Sequence, residues 1–410
     1  MKNLYTYITE GGAAGHMAHP YDYTEFTLRD LKGLIRNLFT SKVEDVTEKI
    51  DGMNIVASMN QDGEVVFIRN KGDLNSVKGG MTIQDMATKW ADRPNVAQTY
   101  INAGEVITRV FNKIGSQFFN PDPDTRLAVN CECVLAGVTN IMPYASSQVD
   151  FHNIFIYKHT EKGWEHTDTT KKGLDIVDKA CENIDNVQLT PQILIKTTQD
   201  TKKILVDFIK ELDGLWKDAG CREGDSIDKY KRARFNMWCK DNATWIFKTA
   251  AGQGGKNLLY ARWFNNDKKT VNIKQLRQLY NHKYDEEIDS LDQKCYKEMV
   301  SWCMEPLDTF FAKLGNAIIK QCDGFINSGV ESEVISQLKN DLDDVVKTIR
   351  SGNNEEINLK LNKQLTRLEK LGNEINPVEG IVFKYKGKIM KCTGSFSSCN
   401  QILGLLNFQK

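Results

Sequence analysis

No stretch of this chain approaches the roughly eighteen consecutive apolar residues of a membrane-spanning helix, so no membrane partner is expected. The opening segment, Met1 to His19, is rich in glycine and lacks the basic-then-apolar order of a signal peptide. Ten cysteines contain no Cys-x-x-Cys pair, and Cys131 and Cys133 alternate around Glu132 as in a strand rather than a zinc site. Unpaired thiols without an export signal predict a reducing compartment, hence the cytoplasm. His16, His19 and His152 do not share metal-ligand spacing with carboxylates and read as structural or surface residues. Internal repeats and low-complexity linkers are also missing. Net charge is zero, with 54 basic and 54 acidic residues, and an even spread of that balance would speak against a nucleic-acid partner.

The spread is not even. Between Lys229 and Lys283 thirteen Lys and Arg face two acids, Asp241 and Asp267. Tyr230, Phe235, Trp238, Trp245, Phe247, Tyr260, Trp263, Phe264 and Tyr280 interleave with them. Cations neutralise phosphates and flat rings stack on unpaired bases, so the segment reads as a nucleic-acid contact, with Trp238, Trp245, Lys256 and Trp263 as candidates. The bland alternative is a helical subdomain with an aromatic core and a solvated lysine face.

At 410 residues the chain has room for two or three domains. Residues 24–40 carry apolar side chains near helical spacing, with Thr27 as cap. Asn54 to Met59 and Glu64 to Arg69 read as strands around an Asn60-Gln61-Asp62-Gly63 turn. A helical stretch comes next, from Thr82 to Ile114, and strands return at Leu127–Leu135, Asn153–Tyr157 and Gln192–Lys196. Residues 201–370 are almost wholly helical in pattern. The strands Gly380–Tyr385 and Lys388–Lys391 then flank a Lys386-Gly387 turn. A hairpin that short does not stand alone. The expectation is therefore an α+β core in two parts, residues 1–200 and 371–410, interrupted by a helical insertion at 201–370.

Thr47-Glu48-Lys49-Ile50-Asp51-Gly52-Met53-Asn54 offers a lysine as nucleophile, although a Lys-x-Asp-Gly tetrad alone is weak. Its weight comes from the residues downstream of it, in order: Arg69 at a strand end, Glu132 in mid-strand, Glu379 and Lys384 at the two ends of one strand, and Lys391 on the next. This order resembles the covalent nucleotidyltransferase superfamily of ATP-dependent ligases and messenger-RNA capping enzymes. The resemblance implies a core of antiparallel sheets of ATP-grasp-like type. Asn54, where DNA ligases and capping enzymes usually carry Arg, is similar to bacteriophage RNA ligases of the second type. So is the spacing from Lys49 to Arg69. The residues after Lys391 leave no room for the oligonucleotide-binding barrel of DNA ligases. Gly11 to Pro20 looks like the start of ligase-like proteins of large tailed phages. Two departures stand out: Thr393 replaces a second lysine, and the insertion is far longer than the family's connection.

The resemblance implies ATP and Mg²⁺ (or Mn²⁺) as cofactors and nucleic-acid ends, RNA in preference to DNA, as substrates. Lys49 would take AMP, with Asp51, Lys384 and Lys391 in the catalytic group and Glu379 on the metal. Arg69 and Glu132 would hold the ribose, Tyr157 or Phe155 the adenine, with Glu48 and Asn54 nearby. Lys384, Lys391 and the metal would depress the pKa of Lys49. The alternatives are a DNA ligase, another adenylyltransferase, or an inactive nucleic-acid-binding phage protein. Ala250 to Asn257 resembles a phosphate loop only superficially and is expected to be a flexible loop.

Overall fold

The computed structural model describes residues 17–136, 144, 146–248, 252–264, 271–326, 332–352, 355–372, 378–396, 398–399 and 401–402. The glycine-rich residues 11–16 and residues 249–251 lie outside these. The fold is α+β with antiparallel sheets. Along the chain run β1 (Glu44–Lys49), β2 (Met53–Met59), β3 (Val65–Ile68), β4 (Thr125–Val134), β5 (Gln148–Thr160), β6 (Gly163–Thr170) and β7 (Val187–Leu189). After these come the two-residue strands β8 (Leu194–Ile195) and β9 (Cys322–Asp323), then β10 (Gly380–Tyr385) and β11 (Lys388–Thr393).

Two compact units divide the chain: Met1–Met17 with Glu44–Leu194 and Cys322–Lys410, and Ala18–Val43 with Ile195–Gln321. These limits differ at both ends from the boundaries at 200 and 370 expected from the sequence. The helix Leu28–Phe39, capped by Thr27 as expected, belongs to the second unit. There the Ile227 N–H donates to Phe26 O at 2.7 Å and Thr27 bridges Ser226. Helices Ser332–Ser351 and Glu355–Lys370 belong to the first unit, because Ile349, Leu361 and Leu368 bury themselves with Cys399 and Ile402.

In the first unit six strands run in the order β3-β2-β4-β5-β6, with β7 parallel to β5. One face carries Ile55, Ala57, Phe67, Val129, Cys131, Phe151 and Ile154 onto Tyr100, Ile107, Val110 and Phe111 of the helix Pro94–Ile114. Each Ile, Val and Phe among them contributes about 1.5–3 kcal/mol on full burial. The smaller sheet has the order β1-β10-β11. Its hairpin turns on Lys386 and Gly387, both at positive φ (49° and 73°), the two-residue geometry that matches strand twist. Among the described residues no helix is long and apolar enough to cross a membrane.

The second unit is helical, and its core gathers Trp238, Trp245, Leu259, Tyr260, Trp263, Leu276 and Tyr280. The loop expected at 250–257 is, from Gly252 onward, part of a helix, Gly252–Phe264. Burial of Leu259, Tyr260 and Trp263 along one side outweighs the low helix propensity of its glycines.

Candidate active site

The smaller sheet builds the site around Lys49. In its antiparallel register Lys49 lies opposite Gly380 and Gly380 opposite Thr393, while Thr47, Val382 and Lys391 line up beside them. Side chains alternate along a strand, so Lys49, Val382, Lys384, Lys391 and Thr393 share one face. Ile381, Phe383, Met390 and Cys392 fill the buried face beneath. A Cβ on Gly380 would stand 2.3 Å from Cys392 O, so this position admits no side chain between Lys49 and Thr393.

Lys49 Nζ reaches Glu379 Oε2 at 2.5 Å, with Glu379 only 6% exposed. Burial alone would push the amine down. Glu379, Glu132 and Asp51 outweigh it, and the Lys49 pKa stands above its ordinary value. The expected depression is therefore absent in this state, because the charges nearest the amine are carboxylates. Burial raises Glu379 in turn, against the pull of Lys49 and Lys391. Lys384 shares the face of Lys49 but lies four residues along β10, roughly 13 Å at strand rise. Its ammonium stands 3.9 Å from Glu44 instead.

The turn after β1 joins this sheet to the larger one. A Cβ on Gly52 would meet Cys133 O and Glu132 Cγ, each at 2.8 Å, so the glycine of the tetrad brings the backbone after Lys49 against the mid-strand glutamate. The Asp51 N–H donates to Tyr144 Oη at 2.8 Å. Asn54, Glu132 and Asp150 are in register across β2, β4 and β5. Asn54 Nδ2 donates to Asn130 Oδ1 at 2.8 Å and to Glu132 Oε2 at 3.3 Å. Arg69 donates to Asn54 O and to Tyr100 Oη, both at 2.5 Å, which fixes its guanidinium on the Tyr100 side.

Glu48 lies on the opposite face of β1 from Lys49 and is 1% exposed. Its Oε2 accepts the Ile326 N–H at 2.7 Å, while Oε1 is buried without a hydrogen-bond partner. Burial, with Asp150 adding to it, pushes its carboxyl up to about 7. Asp150, held by Gln148 and Gln188 at 2.8 Å each, is pushed up by burial to about 6.

His152 reads from the sequence as structural or surface, yet it stands in this group. The β4–β5 register slips between Asn130 and Cys131, which makes His152 an extra residue between Phe151 and Asn153. Its Nε2 lies 3.7 Å from Glu132 Oε2, and Nδ1 shares a 2.6 Å hydrogen bond with Thr190 Oγ1. Phe155 and Tyr157 lie farther along, opposite Ala128 and Arg126, about 13 Å or more from the level of Glu132. They are 7% and 3% exposed and pack with Val56, Ile68 and Leu74. No signal in a single sequence announces a bulge, so His152 could be found only from the register.

A divalent cation fits the chemistry of Glu379. Among the described residues no group of three His, Cys, Asp or Glu could hold a metal alone. Mg²⁺, however, commonly takes one or two carboxylates and completes its shell with water and substrate phosphates. Cys131 and Cys133 lie in β4, the strand that their alternation predicted, and both are buried, free thiols raised by desolvation.

The candidate stacking residues of the second unit are core. Trp238, Trp245 and Trp263 are 8%, 9% and 4% exposed, and Trp263 Nε1 donates to Asp292 Oδ1 at 2.8 Å. Rings enclosed on both faces cannot accept a base, so the bland alternative describes these tryptophans. The segment's arginines also turn to their own unit. Arg262 forks onto Asp292 at 2.7 Å, Arg232 and Arg277 meet Asp228 and Asp289, and Arg234 lies over Trp302. Lys256 is half-buried, its ammonium 5.6 Å from the Phe247 ring. Compared with known protein families, curated proteins and solved structures, the chain finds no match.

Proposed function

We propose that the first unit is a nucleotidyltransferase core of the ATP-dependent ligase type, acting through a lysyl-AMP on Lys49 and sealing nucleic-acid ends, RNA in preference to DNA. One observation carries the reading. Lys49, Asp51, Glu132 and Glu379, scattered over 330 residues, form one electrostatic group around the Lys49 amine.

In the forward step bound ATP parts Lys49 from Glu379, and the ammonium sheds its proton to solvent. The amine lone pair forms a P–N bond to the α-phosphorus of ATP, and pyrophosphate leaves with the electron pair of the broken P–O bond. A 5′-phosphate oxygen then displaces Lys49 from AMP, and a 3′-hydroxyl attacks that phosphate, releasing AMP. Lys391 offsets charge on the α-phosphate from the same sheet face. Mg²⁺ or Mn²⁺, when bound, neutralises the triphosphate, and Glu379 would hold it. Glu132 accepts hydrogen bonds from ribose hydroxyls. His152, beside Glu132, replaces Phe155 and Tyr157 as the ring against adenine, and the orphaned Oε1 of Glu48 is an acceptor of the kind an exocyclic amine satisfies.

The test is incubation with α-labelled ATP and Mg²⁺. A protein–AMP adduct that survives denaturing electrophoresis and is released by mild acid, as a phosphoramidate is, should form with wild type and vanish in Lys49→Ala. An unlabelled wild type, or a fully labelled Lys49→Ala, overturns the proposal. Nicked RNA, DNA and hybrid substrates then separate the acceptors.

A further inference from the structure

Of the nine Phe, Tyr and Trp side chains between Lys229 and Lys283, eight are buried, and Phe247 is the exception at 41% exposure. It ends the short 3₁₀ turn Thr244–Phe247, whose Trp245 and Ile246 are sunk in the core, so the backbone bearing the ring is anchored. The helix Gly252–Phe264 presses on the same backbone: a Cβ on Gly252 would lie 2.8 Å from Ile246 O and 3.3 Å from Phe247 Cα. Lys256, one turn into that helix, carries its ammonium to 5.6 Å from the ring, and exposed Lys248 comes directly after Phe247 in the chain. The neighbouring arginines are spent on their own unit, which leaves lysines to face outward. Exposed Lys240, Lys274 and Lys283 belong to the same basic segment.

A lone exposed apolar ring needs no explanation. A rigidly based ring with the Lys256 ammonium 5.6 Å away and exposed Lys248 next in the chain, in a segment with eleven more basic than acidic residues, has the chemistry of a stacking platform. We propose that Phe247, Lys248 and Lys256 form a contact surface for single-stranded nucleic acid, an unpaired base lying on the ring and adjacent phosphates on the two ammonium groups. The inference rests on the proposed function for its choice of nucleic acid as substrate, and it moves the contact from the three tryptophans to Phe247.

Fluorescence anisotropy of a labelled oligoadenylate 12-mer with the full chain, without ATP, tests it. Phe247→Ala should weaken binding on the order of tenfold and Phe247→Trp should retain it. Lys248→Ala/Lys256→Ala should lower the slope of log affinity against log salt by about 1.4. Thermal melting of each variant separates lost contact from lost fold, and the tryptophan and lysine variants keep the test intact should Phe247→Ala melt early. Three results overturn the surface: no binding by wild type, affinity within twofold for a normally melting Phe247→Ala, or equal binding of a blunt RNA duplex. Self-adenylation of wild type, assayed without nucleic acid, is a separate readout. Its failure beside normal oligonucleotide binding sinks the ligase reading alone, and the converse sinks this surface alone.

Discussion

Lys49 and Glu379 are 330 residues apart in the chain and 2.5 Å apart in space. The contact occupies both groups at once: the Lys49 amine is held as an ammonium, and the Glu379 carboxylate holds it. Under the proposed function, productive binding of ATP has to break this pair.

Removing one partner leaves the other charge buried. Lys49→Met should lower stability by about 3–5 kcal/mol at pH 8, where Glu379 must either stand as an unpaired buried carboxylate or take up a proton that the unfolded chain does not carry. At pH 5 the carboxyl takes a proton and most of that loss should disappear. Urea unfolding at the two pH values checks this, and an equal loss at both would refute it.

Glu48 gives stability the opposite pH trend to a salt-bridged acid. Its carboxyl stands near 7 in the fold against 4.5 as the reference, so the folded form keeps a proton that the unfolded chain has released. The stability it contributes is complete below about pH 4.5 and is lost as pH rises through 7. Asp150, raised from 3.8 to about 6, acts in the same direction. Stability to urea should fall between pH 5 and 8, and Glu48→Gln should remove up to about 3 kcal/mol of that fall while Asp150 and Glu379, both raised by burial, keep the rest. A midpoint as steep in Glu48→Gln as in wild type would contradict the assignment.

Gly52→Ala places a methyl 2.8 Å from Cys133 O and Glu132 Cγ. Overpacking of this kind costs about 1–3 kcal/mol, which a domain this size should survive. The displaced nucleophile should cut adenylation far more than stability. Normal labelling of a folded Gly52→Ala would show that the close approach is dispensable.

His152 and Phe155 should separate cleanly. His152→Ala should weaken ATP binding on the order of tenfold with little change in melting, and His152→Phe should restore it. Phe155→Ala, emptying a buried site, should cost about 3–5 kcal/mol of stability. Calorimetric titration with ATP and thermal melting decide between them.

Trp263→Ala should likewise act on folding, by about 3–5 kcal/mol, since the ring is core and its N–H is bound to Asp292. A variant with wild-type melting and lost RNA binding would return Trp263 to the nucleic-acid surface.

The sequence made some of this legible and hid the rest for definite reasons. The β10–β11 hairpin shows in the alternation of Ile381, Phe383 and Tyr385 and in a Lys-Gly pair suited to positive φ. Glu132 shows because an acid in mid-strand contradicts its neighbours. Strand β6, Gly163–Thr170, does not show: Glu165, His166, Thr167 and Asp168 give an edge strand no apolar alternation. A one-residue slip reassigns faces, so the bulge at His152 diverts attention to Phe155 and Tyr157. Aromatics interleaved with lysines look alike in a core and on a stacking surface. Only burial separates Trp263 from Phe247.

The pairing of β1 with β10 also sets an order of events during synthesis. The ribosome delivers Lys49 more than three hundred residues before Gly380, and through that interval β1 lacks the neighbour that completes its sheet. An unpaired strand edge invites association with other chains. Closing so long a loop costs only logarithmically more than closing a short one, so the delay is one of time rather than of equilibrium. The nascent chain therefore carries Lys49 early and gains the carboxylate that restrains it late.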